Sequence, residues 1–173
     1  VGSVDVTLED GQNLTGVDMV LTPVQEMADC SQPALAIPDN NPAGISDIMT
    51  LALPQATVAN VEVYVDITHT WQGDLLLNLT SPEGTTVILH NRSGGSADNI
   101  YGWYPVELTP DGDLGLFAGE MLSGDWTLFV SDNAGSDTGT LNEWCLNIEY
   151  GGGGISAVDA PAYYELKNNY PNP

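Results

Sequence analysis

The sequence predicts an all-β chain: an antiparallel β-sandwich of jelly-roll type with an N-terminal β-hairpin. Three observations carry this reading. Apolar residues recur at every second position, at Val61, Val63, Val65 and Ile67, at Leu75, Leu77 and Leu79, and at Trp126, Leu128 and Val130. That is the period of a strand with one buried face. Clusters of Gly, Pro, Asn and Asp punctuate these runs, and no helical period exceeds two turns. Many short strands separated by turn signals favour two packed sheets.

Taken in order, residues 1–23 read as two strands. Val4, Val6 and Leu8 alternate, Asp10-Gly11-Gln12-Asn13 turns the chain, and Val17, Met19 and Leu21 alternate again. A lone hairpin is marginal in water, so this pair is expected to be either the terminal strands of an upstream β-sandwich module or a strand pair lent to a neighbour. Residues 24–29 read as a linker and residues 30–150 as the main domain. Within it, residues 36–42 are turn-rich, since proline fixes φ and Asp or Asn caps its own backbone. Strands are expected at 49–53 and 58–70, then through Leu75, Leu77 and Leu79 after a turn at Gln72-Gly73-Asp74. Ser81-Pro82-Glu83-Gly84 forms the next turn, and residues 85–90 the next strand. Residues 102–115 receive no assignment. The strand carrying Trp126 is interrupted by the acidic, glycine-containing stretch 132–139 and resumes at Leu141, with Trp144, Leu146 and Ile148 on one side. Residues 151–162, opening on four glycines, read as a linker, and 163–173 as the start of a further domain.

Twenty-four acidic residues against two basic ones, Arg92 and Lys167, leave a net charge of −22 over 173 residues. Phosphate backbones and anionic membranes would be repelled, which excludes nucleic acid as a partner. No apolar run is long enough to insert into a membrane. Together with the abundance of Gly, Thr, Asn and Val, this composition points to a secreted or cell-surface β protein. The chain opens at Val1 without a leader, so a signal peptide is expected to lie upstream or to have been removed.

Two cysteines, Cys30 and Cys145, stand too far apart in sequence for a metal knuckle. They suit a disulfide between the first and last segments of the domain, with two buried free thiols as the alternative. A bridge closing so long a loop would contribute about 4 to 5 kcal/mol in the chain-entropy model.

Candidate chemistry is sparse. His69 and His90 are the sole histidines, outside any HExxH motif, and Ser96 in Gly94-Gly95-Ser96-Ala97-Asp98 lacks the G-x-S-x-G frame. Without a placed base a serine hydroxyl is a poor nucleophile, so structural histidines and a non-catalytic chain are expected. Calcium fits better. A hard cation takes six to eight oxygens from carboxylates, carbonyls and amides on flexible loops. Asp39, Asp74, Asp98, Asp132 and Asp137 all fall in predicted loops beside Gly or Asn. Asp111-Gly112-Asp113 lacks the closing acid of a calcium loop.

Three strings carry resemblances. AIPDN at 36–40, ITHTWQGDLLLNLTSPEGTTVILHNRSGGSADNI at 67–100 and FAGEMLSGDWTLFVSDNAGSDTGTLNEWCLNIEY at 117–150 resemble, in order, the P domain or Homo B module that follows the catalytic domain of proprotein convertases and many bacterial secreted peptidases. The resemblance implies a jelly roll without catalytic residues, often holding structural calcium. SVDVTLEDGQNLTGVDMVLTP at 3–23 is similar to the closing strands of carboxypeptidase-regulatory-like β-sandwiches. YELKNNYPNP at 164–173 resembles the opening of the C-terminal sorting domain of type IX secretion, which implies a truncated or cleaved piece of a secreted bacterial multidomain protein. The expected function is a non-catalytic, calcium-binding accessory module that stabilises or targets an adjacent peptidase or other hydrolase. The alternative is a structural subunit of a cell-surface adhesin or extracellular filament. Its expected partners are adjacent domains of the same polypeptide, and neighbouring copies joined by strand addition.

Overall fold

A computed structural model describes residues 24–152. The expected hairpin at 1–23, most of the expected linker at 151–162 and the sorting-domain start at 163–173 lie outside the described residues. Nine strands build two antiparallel sheets. In the first, β1 (Gln25–Ser31) and β2 (Leu35–Ile37) both pair with β9 (Gly139–Gly152), which pairs in turn with β4 (Ala56–Thr68), and β7 (Ile100–Tyr104) forms the far edge. In the second, the order is β3 (Asn41–Leu51), β8 (Gly124–Asp132), β5 (Leu75–Thr80) and β6 (Thr86–Asn91).

The alternations read from the sequence are the inner faces of these sheets. Val61, Val63, Val65 and Ile67 of β4 and Trp144, Leu146 and Ile148 of β9 are buried, and they share one core with Leu75, Leu77 and Leu79 of β5 and Trp126, Leu128 and Val130 of β8. Fully burying each such side chain stabilises the fold by roughly 1.5 to 3 kcal/mol. Trp126 packs edge-on against Phe117 with ring centroids 5.2 Å apart, and its indole N–H donates to the Leu122 carbonyl at 3.0 Å. Its polar atom is therefore satisfied inside the core.

Several expected boundaries are corrected. Residues 24–29 are not a linker: β1 begins at Gln25 and pairs with β9 without a break, from Gln25 opposite Tyr150 to Ser31 opposite Trp144. Its side chains are mostly exposed, so no apolar alternation marked it as a strand. The turn-rich stretch 36–42 contains most of β2 and the start of β3, which begins eight residues before the expected strand and crosses a β-bulge between Asn41 and Ile45. Residues 102–115 complete β7 and then lead into a short 3-10 turn, Leu114–Phe117, that lowers Leu114 and Phe117 into the core.

Cys30 and Cys145 form a disulfide. They are register partners on β1 and β9, with Cα atoms 4.1 Å apart and a sequence separation of 115. The bridge pins the first described strand to the last.

Candidate functional site

Three of the five candidate carboxylates, and the backbone of a fourth, meet the β8–β9 loop, residues 133–138. Asp132 ends β8 fully buried. Its Oδ1 accepts the Ala134 N–H at 3.0 Å, and its Oδ2 lies 3.4 Å from His69 Nε2. Asp39 reaches the same loop from the β2–β3 turn, where its Oδ1 accepts the Ser136 N–H at 3.1 Å. Asp137 accepts the Thr70 hydroxyl at 2.5 Å. Asp74, mostly buried in the 3-10 turn Gln72–Asp74, receives both the backbone N–H and the side-chain amide of Asn133 on its carbonyl oxygen, at 2.8 and 3.2 Å. The Asp98 backbone carbonyl accepts the Gln72 side-chain amide at 3.3 Å, and Asp98 lines a cavity with Gln72 and His90.

His69 anchors the loop from the other sheet. Its Nδ1 lies 2.9 Å from the Trp71 carbonyl oxygen and 3.1 Å from the Trp71 nitrogen, and its Nε2 faces Asp132. The ring lies against Gly139, where an added Cβ would come within 2.6 Å of His69 Cδ2 and of the Thr68 carbonyl. Glycine at 139 is therefore what admits the imidazole. The second histidine, His90, turns Nε2 to the Gln72 carbonyl at 3.0 Å and Nδ1 to the Ser93 hydroxyl at 3.4 Å. Both histidines thus have structural partners.

These oxygens are of the hard type that suits calcium. Their spacing does not form a closed cage. Among the described residues, the one group of three His, Cys, Asp or Glu side chains with ligand atoms within 4.8 Å of one another is Cys30, Glu143 and Cys145, and its two sulfurs are consumed in the disulfide. Asp39 and Asp137 each have one oxygen already accepting a protein hydrogen bond, and both oxygens of Asp132 are engaged, by Ala134 and His69. The donor chemistry fits, and a bound ion would draw these side chains together.

Sequence reasoning missed a polar cavity of about 400 Å³, lined by His90, Ser93, Asp98, Tyr101, Tyr104 and Thr109 among others. Burial, reinforced by the charge of Asp111, holds the Tyr104 phenol above the ordinary tyrosine range. No motif announces the cavity, because its wall combines two strands, two loops and the 3-10 turn Gln72–Asp74.

Residues 58–148 match the family model of the proprotein convertase P-domain. The chain belongs to the proprotein convertase P-domain family. It is 38% identical over 113 residues to leupeptin-inactivating enzyme 1 of Streptomyces exfoliatus, covering 65% of this chain and 24% of that protein. It is also 38% identical over 124 residues to a calcium-dependent protease of Trichormus variabilis, covering 70% of this chain and 16% of that one. The chain thus spans about a quarter or less of these relatives. A serine protease of Aeromonas sobria shares the fold at a TM-score of 0.57 and 22% identity, over 76% of this chain and 28% of that structure. The P-domain relatives are bacterial proteases, and a P domain is an accessory unit of such enzymes. Among the described residues, no helix is long and apolar enough to cross a membrane.

Proposed function

We propose that this P domain is a non-catalytic accessory module of a secreted bacterial protease, stabilising or orienting a catalytic domain in the same polypeptide. One observation carries the reading: the chain matches no more than about a quarter of relatives that are named as proteases or peptide-inactivating enzymes. The side-chain geometry supports it. His69 and His90 are spent on backbone and loop contacts, and the Ser93 hydroxyl stands at 3.4 Å from an imidazole whose other nitrogen faces a carbonyl rather than a carboxylate. That arrangement lacks the carboxylate of a serine triad. Assaying the purified chain against casein, peptide esters and common polysaccharides tests this. No turnover is expected, and hydrolysis that survives repurification and disappears in a His90→Ala variant contradicts it.

Calcium belongs to the same proposal. The name of the Trichormus relative motivates it, and Asp39, Asp74, Asp132 and Asp137 around the β8–β9 loop are its ligand pool. When bound, the ion would tie the β2–β3 turn and the segment after β4 to that loop, rigidifying one end of the sandwich.

A further inference from the structure

The outer face of the first sheet carries an aromatic cluster set among carboxylates. Tyr64 of β4 stands directly opposite Trp103 of β7, with ring centroids 5.4 Å apart, and Tyr101 closes on Tyr64 edge-on at 5.7 Å. Tyr101 is 68% exposed, the most exposed of the chain's large hydrophobic side chains among the described residues. The register places acids in the adjoining positions: Asp66 opposite Tyr101, and Glu143 opposite Asp66 on its other side. Glu107 approaches from the loop after β7, its carboxylate accepting the Trp103 N–H at 2.9 Å.

Two facts make this more than a decorated sheet face. The single Arg or Lys of the described residues is Arg92, and their one acid–base pair is His69 with Asp132, so these carboxylates have no internal cation. Their field is felt on the spot. Burial first, then Tyr101, Asp66 and Glu143, push the Tyr64 phenol up to about 12. The β7 edge is also closed to strand addition around Trp103, since its N–H binds Glu107 and its carbonyl accepts from the backbone N–H groups of Glu107 and Leu108. A partner must therefore engage the face with side chains, and the charge balance requires those side chains to be positive.

We propose that this face binds an arginine- or lysine-bearing peptide segment, a cationic head group lying over the exposed Tyr101 ring with Asp66 and Glu143 alongside. A ring face attracts a cation through its quadrupole, and a guanidinium also has the planar donor fork that carboxylates accept. The proposal is independent of the protease reading and of calcium.

The test is an NMR titration of the isotope-labelled chain with a blocked pentapeptide containing one arginine among glycines, and with its citrulline analogue, which keeps the shape and loses the charge. Shifts confined to the amides of Tyr64, Asp66, Tyr101, Trp103 and Glu143, seen with arginine and absent with citrulline, are expected. Tyr101→Ala should weaken binding about three- to fivefold with an unchanged melting curve, because the side chain is mostly in solvent. The pair Asp66→Asn with Glu143→Gln should weaken it further and flatten its salt dependence. Equal binding of citrulline, an affinity unchanged by Tyr101→Ala, or an equal loss on neutralising the distant Glu83 and Asp125 would each overturn the proposal.

Discussion

His69 Nε2 and Asp132 Oδ2 face each other across 3.4 Å with both side chains buried, joining the end of β4 in one sheet to the end of β8 in the other. The contact is a polar tie at the rim of an otherwise apolar core. Because Asp132 also caps the Ala134 N–H, it organises the β8–β9 loop from within.

Removing that carboxylate leaves the Ala134 N–H without its acceptor and His69 Nε2 without its partner. Asp132→Ala should therefore destabilise the domain by about 2 to 3 kcal/mol, with Asp132→Asn costing less because its amide oxygen can still accept. Urea unfolding of the two variants checks this, and a midpoint shift for alanine no larger than for a solvent-exposed acid such as Asp125 contradicts it.

The disulfide should act mainly on the unfolded chain. Its 115-residue separation predicts that reduction, or the double variant Cys30→Ser with Cys145→Ser, lowers stability by up to about 4 to 5 kcal/mol while leaving the strand content unchanged. Circular dichroism with and without reductant measures both quantities. Loss of the strand signal in the reduced chain at low temperature would show instead that the core cannot hold β1 without the bridge.

Tyr64 supplies a pH prediction with a definite sign. Its phenol rises from 10.0 to about 12, led by burial and aided by Tyr101, Asp66 and Glu143. The folded state therefore holds the proton more tightly than the unfolded state does. This contribution is fully present below about pH 10 and is lost as pH climbs through 12. Ultraviolet difference titration should show two late-ionising tyrosines, Tyr64 and Tyr104, of which one disappears in Tyr64→Phe. Titration of Tyr64 together with exposed phenols contradicts the environment described.

Calcium should raise thermal stability by mass action, by about 2.7 kcal/mol at a hundredfold excess over the dissociation constant. The gain should be much reduced in Asp137→Asn and retained in Asp98→Asn. Coincident melts in calcium and in chelator would remove calcium from the account. A gain lost in Asp98→Asn and retained in Asp137→Asn would move the site across Gln72.

What the sequence revealed depended on whether one residue type carried the pattern. The inner faces of β4, β5, β8 and β9 were legible because apolar residues recur there at every second position. β1 was not, because its side chains are largely in solvent and only its backbone pairing makes it a strand. β7 was hidden by outward-pointing Tyr101 and Trp103, which fill with aromatics the positions where polar residues mark an outer face. The family strings have a physical counterpart. Thr85 of the SPEGT turn donates its hydroxyl to Glu120 of the GE pair, and Glu83 accepts the Met121 N–H at 2.6 Å, so two motifs distant in sequence form one hydrogen-bonded corner. At the candidate site, loop carboxylates could be named but not located. Whether Asp98 joins Asp132 depends on the path of the segment around Gln72, which no local pattern encodes.

The most direct test of the accessory-module account compares the parent polypeptide with a version lacking residues 24–152, following peptidase activity over time at elevated temperature. The account predicts that the deletion shortens the half-life of the activity several-fold, while the isolated chain contributes no turnover of its own. A parent with no peptidase activity, or a deletion that leaves both activity and half-life unchanged, would contradict it.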